Sequence, residues 1–223
     1  MIRALIISLA IAVAAVPARA EAAEQGRFEI GIGPLWMGSA SFGARPADET
    51  NAAGQAVPLF VTATTLDAAT GVEGRFGLRL TERFDVEATG SYAGPHLVAK
   101  VTSDSEAGLG PFTSDEWVQQ FTVGAALVWK LPPLRRRPRW MPFVAGGAQY
   151  VRQVHEGGTL LESGQLYEAG AGIKYELGSR SGARLKAIGV RGEGRAVVRA
   201  AGVNVDGRAH LSPALAASLY VRF

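Results

Sequence analysis

The stretch LAASLYVRF (Leu215–Phe223) alternates strictly. Leu215, Ala217, Leu219, Val221 and Phe223 fall on one side of a two-residue repeat, and Ala216, Ser218, Tyr220 and Arg222 on the other. Successive side chains of a strand point to opposite faces, so this is a strand with one apolar face. Chain ends are polar and frayed unless something ties them down. A strand that finishes on phenylalanine needs a partner along its edge and an apolar medium against its face.

The same period recurs through the chain. FEIGIGPLW places Phe28, Ile30, Ile32, Pro34 and Trp36 on one face. GVEGRFGLRL sets Val72, Phe76, Leu78 and Leu80 against Glu73, Arg75 and Arg79. FDVEATGSY sets Phe84, Val86, Ala88 and Tyr92 against Asp85, Glu87, Thr89 and Ser91. WVQQFTVGAALVW, PFVAGGAQYV, LYEAGAGIKYEL and IGVRGEGRA follow, so that with the terminal segment about eight strands are predicted. Alternating segments of about ten residues are the signature of a transmembrane β-barrel. TER and GSRSGA are short connections and KLPPLRRRPRWM a longer one, whereas 38–69, 94–116, 152–165 and 197–209 are long polar stretches. The expected fold is all-β: an eight-stranded antiparallel transmembrane barrel with short periplasmic turns and long extracellular loops. Within the first long stretch, VPLFVTATTLD is apolar and β-branched. It fits a hairpin standing beyond the membrane, an apolar lid, or an extra strand pair that makes ten.

The opening residues, MIRALIISLAIAVAAVPARA, have Arg3, an apolar run from Ala4 to Val16, and Ala18-Arg19-Ala20. That order is a secretory signal peptide, and the run is too short to span a bilayer as a helix. Residues 1–20 are therefore read as signal peptide and 21–223 as one barrel domain. Without Arg3 and Arg19, the 23 basic residues fall to 21 against 20 acidic ones. Nothing in that balance points to nucleic acid. Cysteine is absent, which leaves neither disulfides nor thiol metal sites.

A soluble barrel also alternates, with its apolar face inward, so aromatic placement decides. Phe28, Phe84, Trp129, Phe143, Tyr175 and Phe223 fall near the expected periplasmic ends, and Trp36, Tyr92, Trp117, Tyr150 and Tyr167 near the extracellular ends. Two aromatic girdles are expected of a membrane barrel. Phe143 and Tyr150 have opposite parity, so their strand contains a bulge or turns one ring inward.

The signal peptide, the glycine-rich strands PFVAGGAQY and EAGAGIKYEL, and the terminal Phe223 resemble the small outer-membrane barrels of Gram-negative bacteria, the OmpA/OmpX/OmpW-like group. The resemblance implies export to the outer membrane, contact with its lipid and lipopolysaccharide, and a monomer. It also implies that the barrel assembly machinery recognises Leu215, Ala217, Leu219, Val221 and Phe223, with no peptidoglycan-binding domain following. Where many members carry an aromatic, this chain has Val221.

The predicted inward face is charged: Glu73, Arg75, Arg79, Asp85, Glu87, Glu168, Lys174, Glu176, Arg191, Glu193 and Arg195, with Arg222 near the end. An eight-stranded barrel is filled by its own side chains, and buried charges of mixed sign pair. Arg79 is expected opposite Asp85, and Glu168 beside the Arg191–Glu193–Arg195 column. The expected role is structural and surface-presenting, without enzymatic activity, cofactor or metal. The alternatives are a narrow channel for small or apolar solutes, OmpW-like, and a lipid A-modifying hydrolase. The latter would use His210 and Ser212, resembling the His-x-Ser pair of PagL-like deacylases, but these residues share the inward parity. His96, His155 and His210 have no metal-ligand spacing, and Arg135–Arg139 reads as a solvated periplasmic turn that can also meet acidic headgroups.

Overall fold

The computed structural model describes residues 26–50, 54–102, 111–133, 139–156, 161–179, 186–201 and 208–223. Residues 1–20, read above as a signal peptide, and most of Arg135–Arg139 lie outside the described residues. Eleven strands are present: β1 (Phe28–Met37), β2 (Ala40–Thr50), β3 (Ala56–Leu66), β4 (Ala69–Arg79), β5 (Phe84–Ala93), β6 (His96–Thr102), β7 (Phe112–Lys130), β8 (Trp140–His155), β9 (Leu161–Ser179), β10 (Ala187–Ala201) and β11 (His210–Arg222). Eight of them, in the order β7-β5-β4-β1-β11-β10-β9-β8, form an antiparallel ring that the β7–β8 pairing closes.

The terminal strand is held on both edges. β11 pairs with β10 along its whole length and with β1 across the closing seam. Phe28 and Phe223 exchange both backbone hydrogen bonds, at 3.0 and 2.9 Å. The short turn between β4 and β5 is set by Thr81, whose Oγ1 accepts from the N–H groups of Arg83 and Phe84 at 3.2 and 3.0 Å, the local capping that threonine favours in turns.

Two of the long polar stretches, 38–69 and 94–116, are in large part strands rather than loops. β2, β3, β6 and the first residues of β7 pair into a sheet that continues the wall above the rim. The β-branched run of β3 and the alternation of HLVAKVT in β6 support extended backbone there. Near the base of β2 a bulge intervenes between Ser41 and Gly43. Gly43 takes φ +90°, a backbone state open to glycine, and its N–H donates to Ser41 Oγ at 3.2 Å. Of the three readings of VPLFVTATTLD, the structure shows a hairpin, β2 with β3, that stands outside the ring, and the ring has eight strands.

Alternation sorts the two faces. Ile30, Ile32, Phe76, Val123, Leu127, Leu215 and Leu219 are exposed on the outer wall, while Glu73, Glu87, Lys174, Arg191 and Arg195 are buried inside. A soluble barrel shows the reverse arrangement.

Candidate functional site

The interior is where the charged side chains meet. Glu73, Arg75 and Arg79 come from β4, Asp85 and Glu87 from β5, Glu168, Lys174 and Glu176 from β9, and Arg191, Glu193 and Arg195 from β10. The strongest contacts cross the lumen between walls far apart in sequence. Arg195 makes a two-pronged bond to Glu73, at 2.6 and 2.7 Å, and reaches Glu168 at 3.3 Å. Arg75 binds Glu193 at 2.7 Å and Glu73 at 2.5 Å. Arg191 binds Glu87 at 2.5 Å and Glu193 at 2.9 Å. Gln149 Nε2 donates to Glu168 at 2.8 Å. The bidentate Arg195–Glu73 pair is of the geometrically specific, strong kind.

Several members of the network were not read from the sequence. Glu29 on β1 accepts from Lys174 at 2.6 Å and from Arg222 at 3.1 Å, and Arg222 also donates to Glu176 at 2.8 Å. Register does place Arg79 opposite Asp85. The Asp85 carboxylate, however, accepts from Lys130 on β7 at 2.6 Å. Both Glu29 and Lys130 had the signal available: each shares the parity of neighbouring inward positions, Gly31 and Gly33 for one, Gln120 and Thr122 for the other.

Phe143 requires a correction. It is 1% exposed, inside the barrel, with the Arg191 guanidinium 4.2 Å from its ring centre. Tyr150, of opposite parity, is 54% exposed on the outer wall. The strand has no bulge between them, so the ring of Phe143 leaves the girdle. Trp140 supplies the aromatic on this strand's lower end, packed on Tyr175 at 4.8 Å. Phe143 fits inside because Gly172 offers no side chain: a Cβ there would collide with its ring.

The other girdle positions face outward. Phe28 packs on Phe76 and Phe223, and Phe84 on Trp129, at the expected periplasmic ends. Trp36, Tyr92, Trp117 and Tyr167 are exposed toward the opposite ends. Tyr92 packs on Phe121 at 5.1 Å.

Above the charges the composition changes. Gln153 and Arg199 both donate to Gln120 Oε1, at 2.9 and 3.1 Å. The Arg199 guanidinium lies 5.7 Å from the Phe42 ring centre. Phe42 belongs to an apolar cluster with Ala40, Leu66, Val151 and Leu166, against which Leu97 and Val197 pack. At the opposite end, a cavity lined by Glu29, Arg79, Asp85 and Arg222 holds only about 10 Å³, at most a single water.

The histidines occupy three separate strands. His96 on β6 bonds exposed Asp115 at 2.8 Å, and His155 on β8 lies 3.2 Å from Glu116. His210 and Ser212 are both on β11, and Ser212 is buried on the inner face. No group of three or more metal-ligating side chains occurs among the described residues.

A closed ring with an apolar outer wall, aromatic ends and a charged interior is the organisation of an outer-membrane barrel. The sequence matches the family described as Outer membrane protein beta-barrel domain over residues 6–208. The chain belongs to that family. Its structure is similar to that of the outer membrane protein OprG from Pseudomonas aeruginosa, at 10% identity and a TM-score of 0.51, covering 89% of this chain and 96% of that one. It is also similar to Ail, the attachment invasion locus protein of Yersinia pestis, at 13% identity and a TM-score of 0.38, covering 88% and 99%. No curated protein sequence matches.

Proposed function

We propose that this protein is a structural, surface-presenting barrel whose lumen is plugged by its own charges. The observation that carries this is the cross-lumen network: Arg75, Arg191 and Arg195 each bind carboxylates of more than one strand. A small barrel filled by paired side chains has no continuous water path. The apolar cluster around Phe42 adds a second seal toward the outside. The sheet of β2, β3 and β6 is then the surface on display. Export by residues 1–20, assembly through Leu215, Ala217, Leu219, Val221 and Phe223, lipopolysaccharide as neighbour, and a monomeric state belong to the same proposal.

Enzymatic activity has no part in it. A hydrolase acting on membrane lipid needs its nucleophile within reach of the outer face, and Ser212 is buried on the inner one. The alternative of a channel for small or apolar solutes requires the ion pairs to part. Planar-bilayer conductance tests this directly. The purified protein should add no sustained current, and regular single-channel steps would overturn the plug.

A further inference from the structure

The wall changes partners at one level near its upper rim. β7 pairs with β8 as far as Val118 opposite His155, and from Trp117 outward it pairs with β6 instead. β8 keeps β9 on its other side, with Gln153 opposite Glu162. Above this level no ladder joins the sheet of β2, β3 and β6 to the β8–β9 hairpin among the described residues. What connects them there is side chains.

His155 stands at the base of this junction. It has the inward parity of Val151 and Gln153 and is 6% exposed. Its imidazole lies between carboxylates of two other strands. Nδ1 is 3.2 Å from Glu116 Oε1 on β7, and Nε2 is 3.7 Å from Glu162 Oε2 on β9. The same Glu116 oxygen accepts from the Glu156 N–H at 3.0 Å, which fixes the β7 side. Nε2 is buried and makes no hydrogen bond among the described residues. A buried nitrogen left without a partner costs stability. Both carboxylates stay partly open to solvent, so protons reach the ring past them.

A neutral imidazole has one N–H and an imidazolium two. The neutral ring can donate to only one of the two acids, and the acids repel each other across it. The doubly protonated ring donates to both and ties β7 to β9. The other groups around it are these. Glu156 adds a third acid at the end of β8. Arg199 on β10 is the opposing cation one layer below, where it donates to Gln120 Oε1 at 3.1 Å. From β6, Leu97 lies opposite Glu116. Histidine is the side chain whose charge changes between about pH 5 and 8. We propose that His155 is a proton-operated clasp, joining Glu116 to Glu162 in mild acid and releasing them near neutral pH, so that the rim above the Phe42 cluster closes and opens. Closing takes up a proton, so the closed form gains as pH falls. The clasp acts at the rim and requires neither conduction nor a plugged lumen.

The chain has no cysteine, so a pair of spin labels can be placed without background. Thr113→Cys on β7 and Ser163→Cys on β9 put one label on each side of the junction, both at exposed positions. Pulsed electron resonance then measures their separation in nanodiscs at about pH 5.5 and about pH 8, the two sides of the histidine range. The mean distance should be shorter, and its spread narrower, at the acid pH. His155→Gln keeps a hydrogen-bonding group but cannot gain a charge, and should abolish the difference. Glu162→Gln should also abolish it, leaving β7 and β9 untied at both pH values. His96→Gln should preserve it, because His96 pairs with Asp115 at an exposed site. A distance in the otherwise wild-type protein that does not change with pH refutes the clasp, as does a shift that survives His155→Gln. Electrophoresis of each variant, unboiled against boiled, reports separately on the barrel. Should His155→Gln fail to fold, a pH-dependent shift persisting in Glu162→Gln refutes the proposal by itself.

Discussion

Arg191 is the point at which the plug is most exposed to test. Its guanidinium binds Glu87 at 2.5 Å and Glu193 at 2.9 Å, and it lies over the Phe143 ring at 4.2 Å. Replacing it with methionine keeps much of the volume but takes the nearest cation from Glu87, which retains Arg75 at 3.5 Å and Lys174 at 3.6 Å, and one of several from Glu193. Removing one partner of a buried ion pair costs about 3–5 kcal/mol, and the lost cation–π contact adds about 2 kcal/mol when desolvated. Arg191→Glu should cost more, because a third carboxylate joins the first two. Urea unfolding of the refolded barrel in detergent micelles, followed by tryptophan fluorescence and extrapolated linearly, measures the loss. The double variant Arg191→Met with Glu87→Gln should lose less than the sum of the singles, since the two side chains are in contact. Conductance is recorded on the same preparations. If Arg191→Glu conducts while keeping wild-type stability, the charges line a path and do not plug the barrel.

Phe143→Ala should destabilise by about 3–5 kcal/mol, the cost of a large buried ring, whereas Trp140→Ala should lose only its contact with Tyr175, about 0.5–1.5 kcal/mol; urea midpoints distinguish the two. Gly189→Ala should cost about 1–3 kcal/mol as an overpacked site, because its Cβ would strike the Tyr220 ring and the Tyr175 carbonyl. Gly192→Ala is its near-neutral control by the same measurement. In SDS without boiling, the wild-type protein should migrate differently from the heated sample, since a barrel with every ring edge paired has no open strand to unzip.

Much of this molecule follows from one residue's parity. Once Phe223 is outward, a period of two assigns Arg222, Tyr220 and Ser218 inward, and the same rule carries around the ring to Arg191 and Glu193. Where parity and residue type disagreed, parity prevailed: Phe143 is aromatic and near a strand end, yet its odd position on β8 turns it to the lumen. The extracellular sheet was less legible for a physical reason. Above the rim no lipid demands an apolar outer face, so β2 includes Asp48 and Glu49 and β6 includes Lys100, and the membrane signature disappears while the strands continue.

Partner choice inside the lumen was also beyond sequence reading. Parity says that Asp85 points inward, and register says that Arg79 is opposite. Neither says that Lys130, on the next strand of the ring, brings its ammonium to that carboxylate, because the reach of a long side chain depends on shear and on the space left by glycines such as Gly77 and Gly124. Those glycines lie on the inward face, where each one absent as a side chain lets an arginine or lysine cross. Glycine at inward strand positions, Gly31, Gly33, Gly77, Gly124, Gly170 and Gly172 among them, is therefore the sequence-level trace of side chains that reach across from opposite walls.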